Sequence, residues 1–517
     1  MHRARVWRVQ VVWVLWLSLF AGWIASAQTN PPAPATLPEL QQRFEQVLTR
    51  PAFAEAFWGV KVVSLDSGKT LFEHNPQKLF SPASNCKLYT VALAFERLGA
   101  GARLRTSLYA AAKPNRRGTL KGDLTVYGRG DPTINGRVHG GNVFEALEPF
   151  VDALAKAGVK RVRGNLVVDD SYFRGPEYGS GWVWDDLEYS YGAEISALTI
   201  DGNVVSMKVQ PGEKVGDPCR VTSPFPLAGL FFSNRTSTVV SGTNVDIRFY
   251  RPLGENVIYV IGHMPVDGKE YSENVPIHNP AAMFGQLLKE ALRRRGIKVT
   301  GKVRTLNWLD RQNPLGACTN RVELGSVDSL PLREIASEVL KPSQNLYTDL
   351  LLAYVGESAR ESQADPEATS EELGIMELKK FLQRVGLGPE EAYFEEGSGL
   401  SRDNLTSPNA TIKLLQYVSH QSYGQDYITA LPIAGVDGTL KSRMRGTVAA
   451  GNVHAKTGSL HWASSLSGYV TTAAGEHLAF SFMVNRYQAP PGGGSARGAL
   501  DELTLLLAGF SGRSTGE

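Results

Sequence analysis

The sequence predicts an α+β protein, a domain of helices and antiparallel strands split by a long β-rich block. Three observations predict it. Residues 39–103 read as helix, hairpin, helix. From about Leu104 to Val275 short alternating runs dominate, punctuated by Gly, Pro, Asn and Asp, as antiparallel sheet requires. After Asn279 helices return, and the chain closes on a strand pair and a helix.

The first 27 residues stand apart. Arg3, Arg5 and Arg8 precede the apolar run Val11–Ile24, and Ala25-Ser26-Ala27 offers small residues for cleavage. This is the pattern of a secretory signal peptide. The run is short for a membrane span of roughly 20 residues, and no cysteine follows it for a lipid anchor. No later segment approaches a span, so the expected product is an exported chain with no transmembrane segment after cleavage. A Pro-rich leader fills 28–38, "TNPPAPATLP" at its centre.

Next comes the helix "ELQQRFEQVLTR", then the hairpin "WGVKVVSLDSGKTLFEHN", turning at Asp66-Ser67-Gly68. The stretch "FSPASNCKLYTVALAFERLG" opens a buried helix. Within the β-rich block lie "GDLTVYGRGDPTI", "GNLVVDDSYF", "NVVSMKVQP", "NVDIRFYRP" and "NVIYVIGHMPV", with one helix, "VFEALEPFVDALAKAG". Beyond it come "AAMFGQLLKEALRRRG", "LREIASEVLK", "NLYTDLLLAYVG" and "EELGIMELKKFLQRVG", then the strands of "LSGYVTTAAGEHLAFSFMVNRY" and the helix "ARGALDELTLLLAGF". The expected organisation is a domain in two parts, 39–103 and 276–517, around inserted β-rich domains over 104–275.

Composition narrows the function. The chain of 517 residues carries a net charge of +3 and is 42% hydrophobic. Removing the three N-terminal arginines leaves it near neutral, which gives no support to nucleic-acid binding. Three cysteines, Cys86, Cys219 and Cys318, are too few for a disulfide scaffold. A Cys219–Cys318 bridge is compatible with an oxidising compartment and is not decided by sequence. Cys86 reads as a small apolar helix residue. No His/Cys/Asp/Glu spacing reads as a metal site, and no cofactor motif survives inspection. Gly68-Lys69-Thr70 lacks the earlier glycine of a phosphate loop, because position 63 is valine. Gly512-Arg513-Ser514-Thr515-Gly516 lacks the strand and helix of a nucleophile elbow.

Chemistry concentrates at Ser84 and Lys87. Residues three apart share a helix face. A serine hydroxyl needs a base beside it to attack a carbonyl. Lysine serves once burial or a nearby cation lowers its proton affinity, and a helix N-terminus favours a developing oxyanion. Two more stretches complete the set: Ser343-Gln344-Asn345 in "KPSQNLYTDLLLAYVG" and Lys456-Thr457-Gly458-Ser459 in "HAKTGSLHW". Ser272-Glu273-Asn274 and Ser407-Pro408-Asn409 also fit Ser-x-Asn, but Ser407 with Pro408 reads as a helix cap. Gly458 is read as admitting a substrate backbone. A Ser-His-Asp triad with His454 or His461 has no Asp singled out.

The order Ser-x-x-Lys, Ser-x-Asn, Lys-Thr-Gly resembles that of the penicillin-binding proteins and serine β-lactamases. More closely, the chain resembles the class C low-molecular-weight penicillin-binding proteins, D-alanyl-D-alanine carboxypeptidases that also act as endopeptidases. Ser84 and Ser343 stand 259 positions apart, room for that family's large insertion. "YGRGDPTI", "EEGSGLSRDNLTSP" and "LPIAGVDGTLKSRMRGT" are similar to its flanking stretches. One departure is Glu396, where the family tends to read Asp; the longer side chain puts the geometry of that loop in question.

The resemblance implies a β-lactamase/transpeptidase-like fold, an antiparallel sheet flanked by helices. It implies Ser84 as nucleophile, Lys87 as base, and Lys456 as the charge that helps keep Lys87 neutral. Ser343 would relay a proton to the leaving amine, and Asn345 would bond the substrate or Lys87. Thr457, Gly458 and Ser459 would bind substrate, with the N–H groups of Ser84 and Ser459 as oxyanion hole. The implied partners are peptidoglycan stem peptides, with β-lactams as covalent inhibitors, in the periplasm or cell envelope. A β-lactamase or other acyl-serine hydrolase on the same scaffold, and a non-catalytic wall-binding module, remain the alternatives.

Overall fold

The computed structural model describes residues 33–224, 230–312, 321–362, 365, 367–489 and 494–515. The expected signal peptide and Cys318 lie outside the described residues.

The central sheet has five strands, all antiparallel, in the order His454–Leu460, Ala463–Thr471, His477–Asn485, Phe57–Ser64, Thr70–His74. The hairpin forms as expected, and its strands join the C-terminal pair across most of the chain. Both faces are covered because both faces are apolar. On one, Leu40, Phe44, Leu500 and Leu503 of the first and last helices pack on Val60, Val62, Phe480 and Phe482. On the other, Val63, Tyr469 and Ala479 meet the helices Cys86–Leu98, Leu332–Leu340, Asn345–Ser358, Ser370–Val385, Pro408–Ser419 and Gly424–Ala430. Ser407 caps its helix as read, accepting from the Ala410 N–H at 3.0 Å ahead of Pro408.

The block after Leu104 differs from expectation. It is not purely antiparallel. Its main sheet runs in the order Val303–Leu306, Leu166–Asp169, Leu124–Tyr127, Arg105–Ala110, Val322–Asp328, and its first two pairings are parallel. Phe231–Val239 also pairs parallel with Val257–Pro265. Alternating side chains look the same in either orientation. What sets orientation is the connection: the helices Val143–Lys156 and Pro280–Arg294 lie between the parallel strands of the main sheet and supply the long crossovers they need, while the strand Asp246–Tyr250 lies between the other parallel pair. The helix Pro280–Arg294 and the strands to Asp328 therefore pair and pack with the block, sharing a core with Phe150, Val168 and Leu198.

Two segments of the block press on the first domain. Phe173 and Ala197 enter the helical core beside Leu350 and Leu352. Ser180 donates through its backbone and hydroxyl to Glu371, and Asn135 Nδ2 donates to the Tyr347 hydroxyl at 2.5 Å. Among the described residues no helix is long and apolar enough to cross a membrane.

Candidate active site

Ser84 sits in a single 3-10 turn, Ala83–Asn85, that runs straight into the helix Cys86–Leu98. The helix proper thus starts two residues after Ser84. Lys87 still lies on the same side, and its Nζ donates to Ser84 Oγ at 2.9 Å. The same ammonium donates to Asn345 Oδ1 at 2.7 Å and to the Ser398 carbonyl at 2.5 Å. Ser84 is half-buried; Lys87 is wholly buried.

A second group faces it from the sheet. Lys456, also wholly buried, donates to Ser343 Oγ and to the Thr457 carbonyl, each at 2.8 Å. Thr457 Oγ1 donates to Thr439 Oγ1 at 2.8 Å. The loop carrying Ser343 is tied to the turn that holds Thr439: Lys341 Nζ donates to Asp437 at 2.6 Å, and the Thr439 N–H to the Lys341 carbonyl at 2.9 Å. Ser459 is exposed on this strand, which forms the edge of the sheet. An edge strand leaves one side of its backbone free to pair with an extended ligand.

Gly458 makes a close approach within the protein itself. A Cβ there would stand 2.5 Å from the Pro82 carbonyl and 3.2 Å from Ala83 Cβ. The close approach is to the turn that carries Ser84. Gly399, at φ +85, does the same from the other side, where a Cβ would meet the Ala83 carbonyl at 2.0 Å. Ala83 (φ 49) and Ser343 (φ 65) are non-glycine residues in the left-handed region. Each costs on the order of 1–3 kcal/mol, which surrounding packing has to overcome.

Electrostatics follow from burial. Burial pulls the Lys87 ammonium down to about 8, although Glu396, Asp349 and Cys86 oppose it. Lys456 is driven well below the usual lysine value by burial and then by the Lys87 charge. Repulsion between the two buried ammonium groups acts on both, so each disfavours the charged form of the other. Burial, with the Glu396 and Glu371 charges, holds the Asp349 carboxyl well above its usual range.

Sequence reading missed several participants. Ser398 and Tyr191 contribute backbone carbonyls, the latter accepting from Asn345 Nδ2 at 3.0 Å. That bond turns the Asn345 oxygen toward Lys87. Lys341 reaches Asp437, 96 residues on, through a salt bridge, and Thr439 meets Thr457, 18 residues on, through its hydroxyl. Glu396 was noticed only as a departure. Its loop is not loosened by the longer side chain: both carboxylate oxygens are fully engaged. Cys86 and Cys219 are buried free thiols. Among the described residues no group of three or more His, Cys, Asp and Glu is placed to hold a metal.

Residues 40–505 match the D-Ala-D-Ala carboxypeptidase 3 (S13) family. The chain belongs to that family. As an S13 member it is 32% identical to a D-alanyl-D-alanine carboxypeptidase of Actinomadura sp. (strain R39), over 93% of this chain and 87% of that one. It is 27% identical to the D-alanyl-D-alanine carboxypeptidase DacB of Haemophilus influenzae, over 82% and 84%. The crystal structure of penicillin binding protein 4 (dacB) from Haemophilus influenzae superposes with a TM-score of 0.74 at 26% identity, covering 89% of this chain and 97% of that one. The split transpeptidase-like fold of the S13 chain is thus shared across nearly its whole described length.

Proposed function

We propose that this S13 chain is a penicillin-binding serine D-alanyl-D-alanine carboxypeptidase that also cuts D-centred cross-links between stem peptides. The observation that carries the reading is the buried Lys87 amine 2.9 Å from Ser84 Oγ, held to about 8. Neutral Lys87 takes the hydroxyl proton as Ser84 Oγ attacks the carbonyl between the two D-alanines. The N–H groups of Ser84 and Ser459 receive the oxyanion, donors of a kind typically worth about 3–4 kcal/mol each. The C–N bond breaks, and the leaving amine takes a proton through Ser343, which Lys456 orients. Thr457 and Ser459 hold the terminal carboxylate. Water then attacks the acyl-enzyme, with Lys87 again accepting the proton. The relatives' names, D-alanyl-D-alanine carboxypeptidase and penicillin binding protein, support the substrate and the inhibitor class. Cross-link cleavage uses the same acyl transfer with a longer leaving group.

We place the insertion from Leu104 to Ser329, since strands to Asp328 pair within it. Residues 1–27 act as a cleaved signal peptide in this reading, putting the enzyme in the periplasm or cell envelope against peptidoglycan.

The test is labelling of the purified mature chain with a fluorescent penicillin, beside Ser84→Ala and Lys87→Ala. A lasting covalent band in the wild type alone supports the reading. Absence of a band with penicillin intact would sink it and favour a wall-binding module; absence with penicillin destroyed would favour a β-lactamase.

A further inference from the structure

Glu396 has no exposed surface. Its two oxygens collect six donors. Oε1 accepts from the Gly399 N–H at 2.7 Å, the Ser401 N–H at 3.4 Å and Asn404 Nδ2. Oε2 accepts from the Ser398 N–H at 2.8 Å, the Ser398 hydroxyl and, at 3.4 Å, the indole N–H of Trp182 on the insertion. A neutral carboxyl carries a donor of its own; six donors converging on two oxygens is the pattern of an ionised, acceptor-only group. The carboxylate thereby winds residues 396–404 around itself. That winding presents the Ser398 carbonyl to Lys87 Nζ at 2.5 Å and seats Gly399 against the carbonyl of Ala83, next to the nucleophile.

We propose that Glu396 is the positioning residue for Lys87: it fixes the carbonyl that aims the amine at Ser84, and supplies the negative charge against which that amine carries its proton. This rests on the reading of Ser84 and Lys87 as nucleophile and base. The charged and titratable groups around Lys87 are Cys86 on its own helix, Asp349 on the helix Asn345–Ser358, Glu396 on the loop and Lys456 on the edge strand. Asp349 is itself faced by Glu371 and Glu396 and is kept from ionising by burial; its Oδ1 accepts from the Gly397 N–H at 3.1 Å, and its Oδ2 has no hydrogen-bond partner among the described residues. Of the two carboxyl groups near Lys87, the charge belongs to Glu396. A rigid carboxylate here holds the base in one rotamer and keeps its proton exchangeable near neutral pH, where burial of two lysines alone would strip it.

The experiment measures the second-order rate of Ser84 acylation by a chromogenic β-lactam against pH, with thermal melts, for wild type, Glu396→Gln, Glu396→Asp and Asp349→Asn. For Glu396→Gln the midpoint of the acid limb falls by about one pH unit or more, and the plateau drops on the order of 10-fold or more. Asp349→Asn leaves the midpoint where it was. Glu396→Asp keeps the midpoint and lowers the plateau, because charge is kept while the loop is drawn in. An unmoved midpoint in folded Glu396→Gln overturns the proposal, as does a shift in Asp349→Asn alone. Should Glu396→Gln fail to fold, Glu396→Asp decides, and a wild-type plateau there overturns the positioning role. If the wild type itself is not acylated, the nucleophile assignment falls and this proposal falls with it.

Discussion

Gly458→Ala is the substitution whose consequence follows most directly from geometry. The new Cβ would stand 2.1 Å from Ser465 Oγ, 2.5 Å from the Pro82 carbonyl and 3.2 Å from Ala83 Cβ. Ser465 Oγ can swing aside, at the loss of its 2.7 Å bond to Pro82. The Pro82 carbonyl is backbone, two residues before the nucleophile, and cannot. Edge strand and nucleophile turn must part by somewhat under 1 Å to reach ordinary carbon–oxygen contact. Overpacking of this kind costs about 1–3 kcal/mol, a melting point lower by several degrees. The larger effect is on rate. Ser84 shifts against Lys456 and the Ser459 N–H, and a misplacement near 1 Å costs on the order of 100-fold. The assay is the second-order rate of acylation by a fluorescent penicillin, read with a thermal melt. We expect a rate about 100-fold down in a protein that still melts cooperatively. Adding Ser465→Ala relieves one contact and not the other, so the rate stays low. A wild-type rate in Gly458→Ala, or full recovery in the double variant, would show that the turn does not depend on this contact.

Acylation should follow neutral Lys87. Protonated lysine cannot accept the Ser84 proton, so the rate falls tenfold per pH unit below about 8, to about 1% of plateau at pH 6; a flat profile from pH 6 to 9 contradicts the base assignment. Thr439→Val leaves Thr457 Oγ1 without its acceptor and should lower acylation efficiency roughly 2- to 10-fold while the melting point moves little; efficiency unchanged within error would exclude that hydroxyl pair from the site. Ser407→Ala removes a helix cap that has no hydrogen bond to Ser84, Lys87, Ser343, Asn345 or Lys456, and should cost about 1 kcal/mol by denaturant titration with the acylation rate unaltered.

The catalytic set was legible because acyl transfer demands particular side chains in a particular order. Ser84, Lys87 and Asn345 form one hydrogen-bonded group, and Ser343 with Lys456 forms another. The hairpin and most helices were legible through turn residues and apolar period. Parallel pairing in the insertion was not, because strand alternation carries no direction and the crossover helices were read one by one. Nor was the strand Phe231–Val239, whose outward positions include Phe231, Arg235 and Ser237 and so blur the alternation. The supporting contacts were hidden for another reason. The Ser398 and Tyr191 carbonyls belong to the backbone, which every residue has, and no side-chain pattern marks which one faces an ammonium. The role of Glu396 is hidden in the same way, since three of its six donors are backbone N–H groups.

The two lysines pose a question of charge. Two ammonium groups without exposed surface cannot both stay ionised unless anions compensate each. Lys87 has Glu396 at hand; Lys456 has a hydroxyl, a carbonyl and the Lys87 charge. On this balance Lys87 keeps its proton more readily than Lys456 does. A neutral Lys456 donating to Ser343 Oγ leaves the Ser343 hydrogen free to turn toward the leaving amine, which is what a relay requires. Lys456→Ala separates this from the opposite picture. If Lys456 were the cation that depresses Lys87, its removal would raise the midpoint of the acylation–pH profile by a unit or more. On the present charge assignment the midpoint holds near 8, and only the plateau falls, because the oriented hydroxyl and not a neighbouring charge has been lost.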